Sequence, residues 1–451
     1  MSRHREAALG DSGRAVDFPG CGAGADNRLV SCQQGGLPVL NVHVFEPELR
    51  DKRGHFYEYN RSLLLEFRRR GIGARIYCNA RPDSDLVEKL GATPAFRDVS
   101  WASSIKIRPV SFFVFLLAGN FATFLGLVRK TYKKYSPGDI ALLTTVTTNN
   151  LFGVALWYFL LPGRSRPSLV VLLRLPYYGR LTRSISLTPK LYRAAFRFLN
   201  RLGGERVHYL SDSSRLAGEY KVLARRDVAL APIPHLPEEI PRLRRDPRGD
   251  KVCFAYLGIA RAEKGFFLLG EAIRQLEHLG RSARYRIQTM DPTDSPSVSA
   301  AREKLSGLSG VELLPGNLRT DSYYEVLSNA DCVLVPYDPG DYLGRTSGIF
   351  AEAVAFGKPV ITTDHTWMAD QVRDLGSGIV MRKFHSDDLA HAMLEYLDNR
   401  PGHDIRAGEA SRTWRRDHGA RQYVDLLLNL VAAESGPERM GRGTTGANQI
   451  P

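Results

Sequence analysis

Short apolar runs rich in β-branched and aromatic residues alternate with helix-length amphipathic stretches twice along this chain. Five prolines, Pro232, Pro234, Pro237, Pro241 and Pro247, divide the two series. Such alternation narrows the fold more than any other feature. A strand followed by a helix and then a second parallel strand buries both faces of its sheet. In the first series strand-like runs fall at Leu37–Phe45, Arg75–Cys78, Ile140–Leu143, Leu169–Leu175 and Val207–Leu210. Helical patterns run to about Arg70, near Asn150–Leu161 and over Pro189–Leu202. In the second, strands are predicted at Val252–Leu257, Tyr285–Thr289, Val311–Leu314, Cys332–Pro336, Pro359–Ile361 and Ile379–Met381. Helices are predicted near Lys264–Leu279, Ser297–Leu305, Ser322–Ala330, Ser347–Phe356, Asp387–Leu397 and Ala420–Val431.

The fold class expected is therefore α/β, with two Rossmann-like, doubly wound domains facing a cleft. Prolines at the density seen after Ala231 suit neither a sheet nor a helix interior. The organisation reads as a disordered tail 1–36, a first domain 37–235, a linker 236–250 and a second domain 251–400. A helical segment 401–434, expected to cross back toward the first domain, and a Gly-rich tail 435–451 follow. A chain of 451 residues is long enough for two such cores.

Charge is distributed unevenly. Residues 37–235 hold 31 Lys+Arg against 14 Asp+Glu, a net of +17, whereas the rest of the chain holds 31 against 34. The excess points to an anionic surface or substrate on the first domain. Within it, Thr188 and Pro189 suit the start of a helix on which Arg193, Arg197 and Arg201 recur every four residues. Leu191, Ala194, Phe198 and Leu202 would form its apolar side, with Phe196 near the boundary. Such a helix fits an anionic membrane surface, or simply the solvated side of a core helix. No nucleic-acid-binding module is recognisable, so nucleic acid is not expected as a partner. Ser111–Val128 carries no charge, but Gly119, Asn120, Thr123 and Gly126 dilute it, and a buried helix is expected over a membrane span. The five cysteines form no CxxC pair, and the opening Met-Ser-Arg-His-Arg-Glu has no apolar core. Both lead to the expectation of a cytoplasmic protein without disulfides or signal peptide.

The stretch that carries most chemistry runs from Tyr342 to Ile361. A loop after a predicted strand ends at Ser347-Gly348, where a helix begins with unpaired backbone N–H groups, a ready site for a diphosphate. Glu352 lies about one turn farther in, able to accept hydrogen bonds from ribose hydroxyls. A plainer role for Ser347 is capping of that helix. The string Glu352-Ala-Val-Ala-Phe-Gly-Lys-Pro-Val-Ile361 resembles the most recognisable motif of the GT-B-fold glycosyltransferases of family 4 (group 1). That family includes retaining bacterial mannosyl-, glucosyl- and galactosyltransferases. The resemblance covers most of residues 251–400 well and residues 37–235 loosely.

The resemblance implies a set of roles. Glu352 would hold the nucleotide ribose, and Ser347, Gly348 and Arg345 would face the donor. In the loop Gly258-Ile-Ala-Arg-Ala-Glu-Lys-Gly265, Lys264 matches the family's catalytic lysine, which stabilises the departing diphosphate. Many relatives have an arginine where Ile259 stands, and Arg261 is the nearest substitute. Leu318, after Gly316-Asn317, lies where relatives hold the base through backbone contacts. In the first domain Gly54 and His55 fall on the loop that faces phosphate and acceptor. Many relatives also have a glutamate eight positions before the ribose ligand, near the donor sugar. Here that position is Gly344; either Asp338 or Asp341 replaces the glutamate, or Tyr342 and Arg345 define a subgroup with another donor geometry. Asp83-Ser84-Asp85 resembles the metal-binding pair of the other glycosyltransferase fold and is set aside as a short match. No metal or other cofactor is expected.

The expected activity is transfer of a hexose from a nucleotide sugar to a glycan or lipid-linked acceptor, with retention. The departing diphosphate itself would help to deprotonate the acceptor. Synthesis of cell-surface polysaccharide or glycolipid at the inner face of a membrane fits the basic first domain. Two alternatives stay open: a GT-B nucleotide-sugar epimerase, and a non-catalytic relative that binds nucleotide or glycan.

Overall fold

The computed structural model describes residues 40–51, 55–96, 118–119, 121–127, 135–136, 138–146, 148–176, 188–234, 251–291 and 295–433. The tails 1–36 and 435–451 and the linker 236–250 lie outside the described residues, as do Gly54 and residues 111–117.

The first sheet contains, among the described residues, β1 (Asn41–Phe45), β2 (Gly73–Asn79), β3 (Thr93–Phe96), β4 (Ile140–Leu143), β5 (Ser168–Leu172), β6 (Val207–Ser211) and β7 (Val228–Leu230). Its order is β3-β2-β1-β4-β5-β6-β7, and every pairing is parallel. The second contains β8 (Cys253–Tyr256), β9 (Arg284–Gln288), β10 (Val311–Leu314), β11 (Cys332–Val335), β12 (Val360–Thr363) and β13 (Gly378–Met381). It has the order β10-β9-β8-β11-β12-β13, again parallel throughout. β4, β5, β8, β11 and β12 are buried along their whole length, which explains why they read as continuous apolar runs. In both sheets the strand order reverses once, between β1 and β4 and between β8 and β11. At such a point the carboxyl-terminal edge opens a crevice for ligand. Two doubly wound domains of this kind constitute the GT-B fold.

The two crossings between the domains are tied together. Gly419 N–H donates to the Ile233 carbonyl at 2.9 Å, and Ile233 N–H donates to His418 Nδ1 at 3.0 Å. The helix Ala420–Ala433 then packs on the first domain, where Tyr423, Val424 and Leu427 join the core around Val42, Tyr59 and Phe67. Arg70 pairs with Asp425 at 2.6 Å on the same seam.

Two sequence expectations change and a third holds for the described residues. Lys264 does not begin a long helix. It ends a 3-10 turn, Ala262–Lys264, because Gly265 adopts φ +72°, and the α-helix starts only at Leu269. In the helix Thr188–Gly203 the face turned inward is Tyr192, Ala195, Phe196 and Leu199, all buried, while Phe198 is exposed. Aromatic partners decide this: Phe196 meets Tyr209 edge-on at 5.0 Å and stacks on Tyr192 at 5.9 Å. Arg193, Arg197 and Arg201 are exposed on the other side, as the spacing predicts. Within Ser111–Val128, residues 121–127 are helical, and Phe124 and Leu127 sit in the first domain's core. No helix among the described residues is long and apolar enough to cross a membrane.

Candidate active site

The second domain's carboxyl-terminal edge is built largely from backbone devices. Gly258, after β8, has φ +93°, and a Cβ there would lie 2.5 Å from Ile349 Cδ1. Only glycine lets this loop approach the start of the helix Gly348–Ala355. At Gly265 a Cβ would meet the Pro336 carbonyl at 2.2 Å, so that turn also excludes a side chain. Ser347 caps the helix by accepting from Phe350 N–H at 3.3 Å. The capping role and a diphosphate site are compatible, since one side chain satisfies only one of the free N–H groups.

Cations converge on this helix start. Lys264 Nζ would lie 3.4 Å from a Cβ on Gly258 and sits 5.4 Å from the centre of the Tyr337 ring. Burial, and then the nearby Arg261 and Arg345, push its pKa down to about 8, with Glu263 opposing. Arg345 lies over the Tyr342 ring at 4.6 Å, and Arg261 pairs with Glu263 at 3.6 Å on a half-exposed arm. These three cations share one region in which a diphosphate would neutralise them.

Glu352, one turn into the helix, is buried and accepts a short hydrogen bond from Tyr323 Oη. Burial pushes its pKa up to about 8, the Tyr323 hydroxyl opposes this, and Glu58 of the first domain adds to it. Leu318 packs partly buried against the core beneath this helix. Gln288, at the end of β9, joins the two donor-side loops. Its Oε1 accepts from Gly258 N–H at 2.7 Å and its Nε2 donates to the Gly316 carbonyl at 3.0 Å.

Asp338, one possible replacement for the missing sugar-side glutamate, takes another part. It caps the short helix Pro339–Tyr342, accepting from Gly340 N–H at 2.8 Å. Asp85 forms an i,i+4 pair with Lys89 at 3.8 Å, and among the described residues no group of three or more His, Cys, Asp or Glu converges. His55 opens the helix His55–Arg69.

Residues 251–399 match the family model Glycosyl transferases group 1. These residues are a glycosyltransferase group 1 domain. No curated protein sequence matches the chain. Among solved structures, sucrose-phosphate synthase from Thermosynechococcus elongatus is similar at 13% identity and TM-score 0.64, covering 87% of this chain and 100% of that one. HepE from Anabaena, solved with UDP, is similar at 13% identity and TM-score 0.64 with the same coverage of 87% and 100%. A Listeria monocytogenes protein described as a UDP-N-acetylglucosamine 2-epimerase is similar at 14% identity and TM-score 0.60, covering 91% of this chain and 100% of that one. At such identities the likeness speaks for the GT-B fold, and the group 1 domain speaks for the enzyme.

Tyr323, Gln288 and Tyr337 were not singled out in the sequence. Tyr323 lies in a helix with an ordinary amphipathic pattern. Gln288 would have been findable only as a polar residue closing an otherwise apolar strand.

Proposed function

We propose that this glycosyltransferase transfers a hexose from a nucleoside-diphosphate sugar to a glycan or lipid-linked acceptor, with retention at the anomeric carbon. The observation that carries the reading is the meeting of Lys264, Arg345 and Arg261 at the Ser347–Gly348 helix start, one turn before Glu352. Helix N–H groups and protonated Lys264 stabilise charge that grows on the leaving diphosphate. Glu352 meets the ribose, and Gly258 and Leu318 line the donor. The leaving diphosphate takes the acceptor proton, so no side-chain base and no metal is required. HepE has also been solved with UDP-glucose, which supports a nucleotide sugar as donor here.

The first domain's charge and one surface feature support an acceptor presented at an anionic membrane. Phe159 and Phe198 are both exposed and lie 5.9 Å apart, on the side from which Arg193, Arg197 and Arg201 project. A basic face around an exposed aromatic pair suits peripheral attachment at the inner leaflet, in synthesis of polysaccharide or glycolipid.

Thermal-shift screening of nucleoside diphosphates identifies the base, and release of free nucleoside diphosphate is then measured with and without glycan acceptors. Acceptor-dependent release is expected, and it should persist in EDTA. Conversion of the nucleotide sugar to its epimer without acceptor would instead assign the epimerase reading. Binding without turnover would assign the non-catalytic one. Co-sedimentation with anionic vesicles should fall in an Arg193/Arg197/Arg201→Glu variant. Equal sedimentation would return that face to solvent.

A further inference from the structure

Gly344 removes the side chain that relatives place near the donor sugar, and the space beside it belongs to the first domain. A Cβ on Gly344 would meet Leu216 Cδ2 at 3.0 Å and Cγ at 3.1 Å. A longer side chain at this position would have to displace Leu216. The first domain reaches the same loop with polar atoms two residues farther on. Thr346 Oγ1 donates to Asp212 Oδ2 at 3.0 Å, and Arg174 Nε donates to the same oxygen at 2.9 Å.

Asp212 follows β6 and Arg174 follows β5, so both stand on the ligand edge of the first sheet. The backbone around Asp212 is held firmly. Ser211 Oγ donates to the Leu173 carbonyl at 2.8 Å, and Ser213 caps the helix Ser214–Ala224. Arg174 is further fixed by lying over the Tyr59 ring at 4.6 Å.

This cluster is incompletely used. Asp212 is 7% exposed, yet its Oδ1 has no hydrogen-bond partner, and neither has Arg174 Nη1. A buried carboxylate oxygen and a guanidinium N–H left unmade are costly unless something else completes them. One acceptor and one donor, side by side next to the donor loop, are the complement of a sugar hydroxyl.

We propose that Asp212 and Arg174 bind hydroxyls of the transferred sugar, taking from the first domain the contact that Gly344 cannot make. This rests on the nucleotide-sugar reading of the second domain. The sugar would be recognised only when both domains surround it, so sugar specificity would depend on the first domain and nucleotide affinity on the second.

The test is calorimetry with UDP, UDP-glucose, GDP and GDP-mannose on the full chain. Asp212→Asn should weaken the bound sugar nucleotide by roughly tenfold or more and leave the matching free diphosphate unchanged. Arg174→Lys carries the same expectation and serves where the asparagine variant fails to fold. Thr346→Val, which breaks the bridge but keeps the carboxylate, should lose less than Asp212→Asn. Equal losses for sugar nucleotide and free diphosphate, or equal losses in Asp212→Asn and Thr346→Val, would overturn the proposal and make the cluster a latch between domains. No loss at all would overturn it too. A wild-type protein that binds none of the four would instead bring down the underlying nucleotide-sugar reading.

Discussion

Glu46 and Glu352 occupy matching edges of the two sheets, and both are buried with raised pKa values. Glu46 follows β1 at the point where the first sheet reverses, and it is fully enclosed. Its Oε2 accepts from Thr144 at 2.8 Å and Thr145 at 2.9 Å, and its Oε1 accepts from Glu48 N–H at 3.0 Å. Burial raises its pKa to about 7 against those hydrogen bonds. Glu352 accepts from Tyr323 alone among the described residues. On the proposed reading its other oxygen meets the ribose. The carboxyl edges of the two sheets thus hold one carboxyl group saturated by neighbouring hydroxyls and one that meets a single hydroxyl, and the proposed function gives the ligand to the second. Topology selects the edge, and the count of satisfied lone pairs selects the role.

The largest effect is expected at the second edge. Lys264→Ala should lower kcat by on the order of a hundredfold while changing donor KM little, because its charge matters most as the diphosphate leaves. Steady-state kinetics decide this, and a rise in KM with unchanged kcat would reassign Lys264 to ground-state binding. The lysine acts protonated and its pKa is about 8. The kcat/KM of the wild type should therefore decline as pH rises above about 8.

A smaller loss is expected for Glu352→Ala, about 0.5–1.5 kcal/mol in nucleoside diphosphate affinity at neutral pH. A carboxyl with its pKa raised to about 8 is mostly protonated there and makes a neutral hydrogen bond to ribose. Unchanged affinity in the folded variant, measured by calorimetry, would place Glu352 with Glu46 as a structural group.

The smallest effect on function belongs to the first edge, where the change falls on stability. Glu46 holds its proton more tightly folded, at about 7, than its ordinary value of 4.5. Stability should therefore fall as pH rises from about 4.5 to about 7 and level off above. Glu46→Gln should remove that slope and gain about 1–3 kcal/mol at pH 8, with nucleotide affinity unchanged. Denaturant unfolding across this range checks it. A loss of nucleotide binding would instead make Glu46 part of the donor site.

Local pattern carried a large share of this molecule. The strand–helix alternation shows in the residues because doubly buried parallel strands are continuous apolar runs, and Gly258, Gly265 and Ser347 stand out because single backbone positions demand them. The helix Arg400–Asp417 falls in the segment 401–434 expected to be helical, but its buried face was illegible for the opposite reason. Its buried stripe is His403, Ala407, Ala410, Ser411 and Trp414, of which only Trp414 is large and apolar, too little to signal an apolar face. They suit a close approach: Ser411 Oγ donates to the Ala355 carbonyl at 2.7 Å, anchoring the Glu352 helix from behind.

The sequence by itself determined the class of the fold, the donor-side motif and the basic half of the chain, since each is written in neighbours a few residues apart. Only the tertiary structure decided that Tyr323 holds Glu352, that Gln288 joins the Gly258 and Gly316 loops, and that Phe196 turns inward while Phe198 faces water. It also decided that Asp212, Arg174 and Thr346 meet across the two domains. Those hydrogen bonds join residues from 28 to 134 positions apart. No periodicity records such a separation, because hydrogen bonding and burial are set by where the chain returns in space.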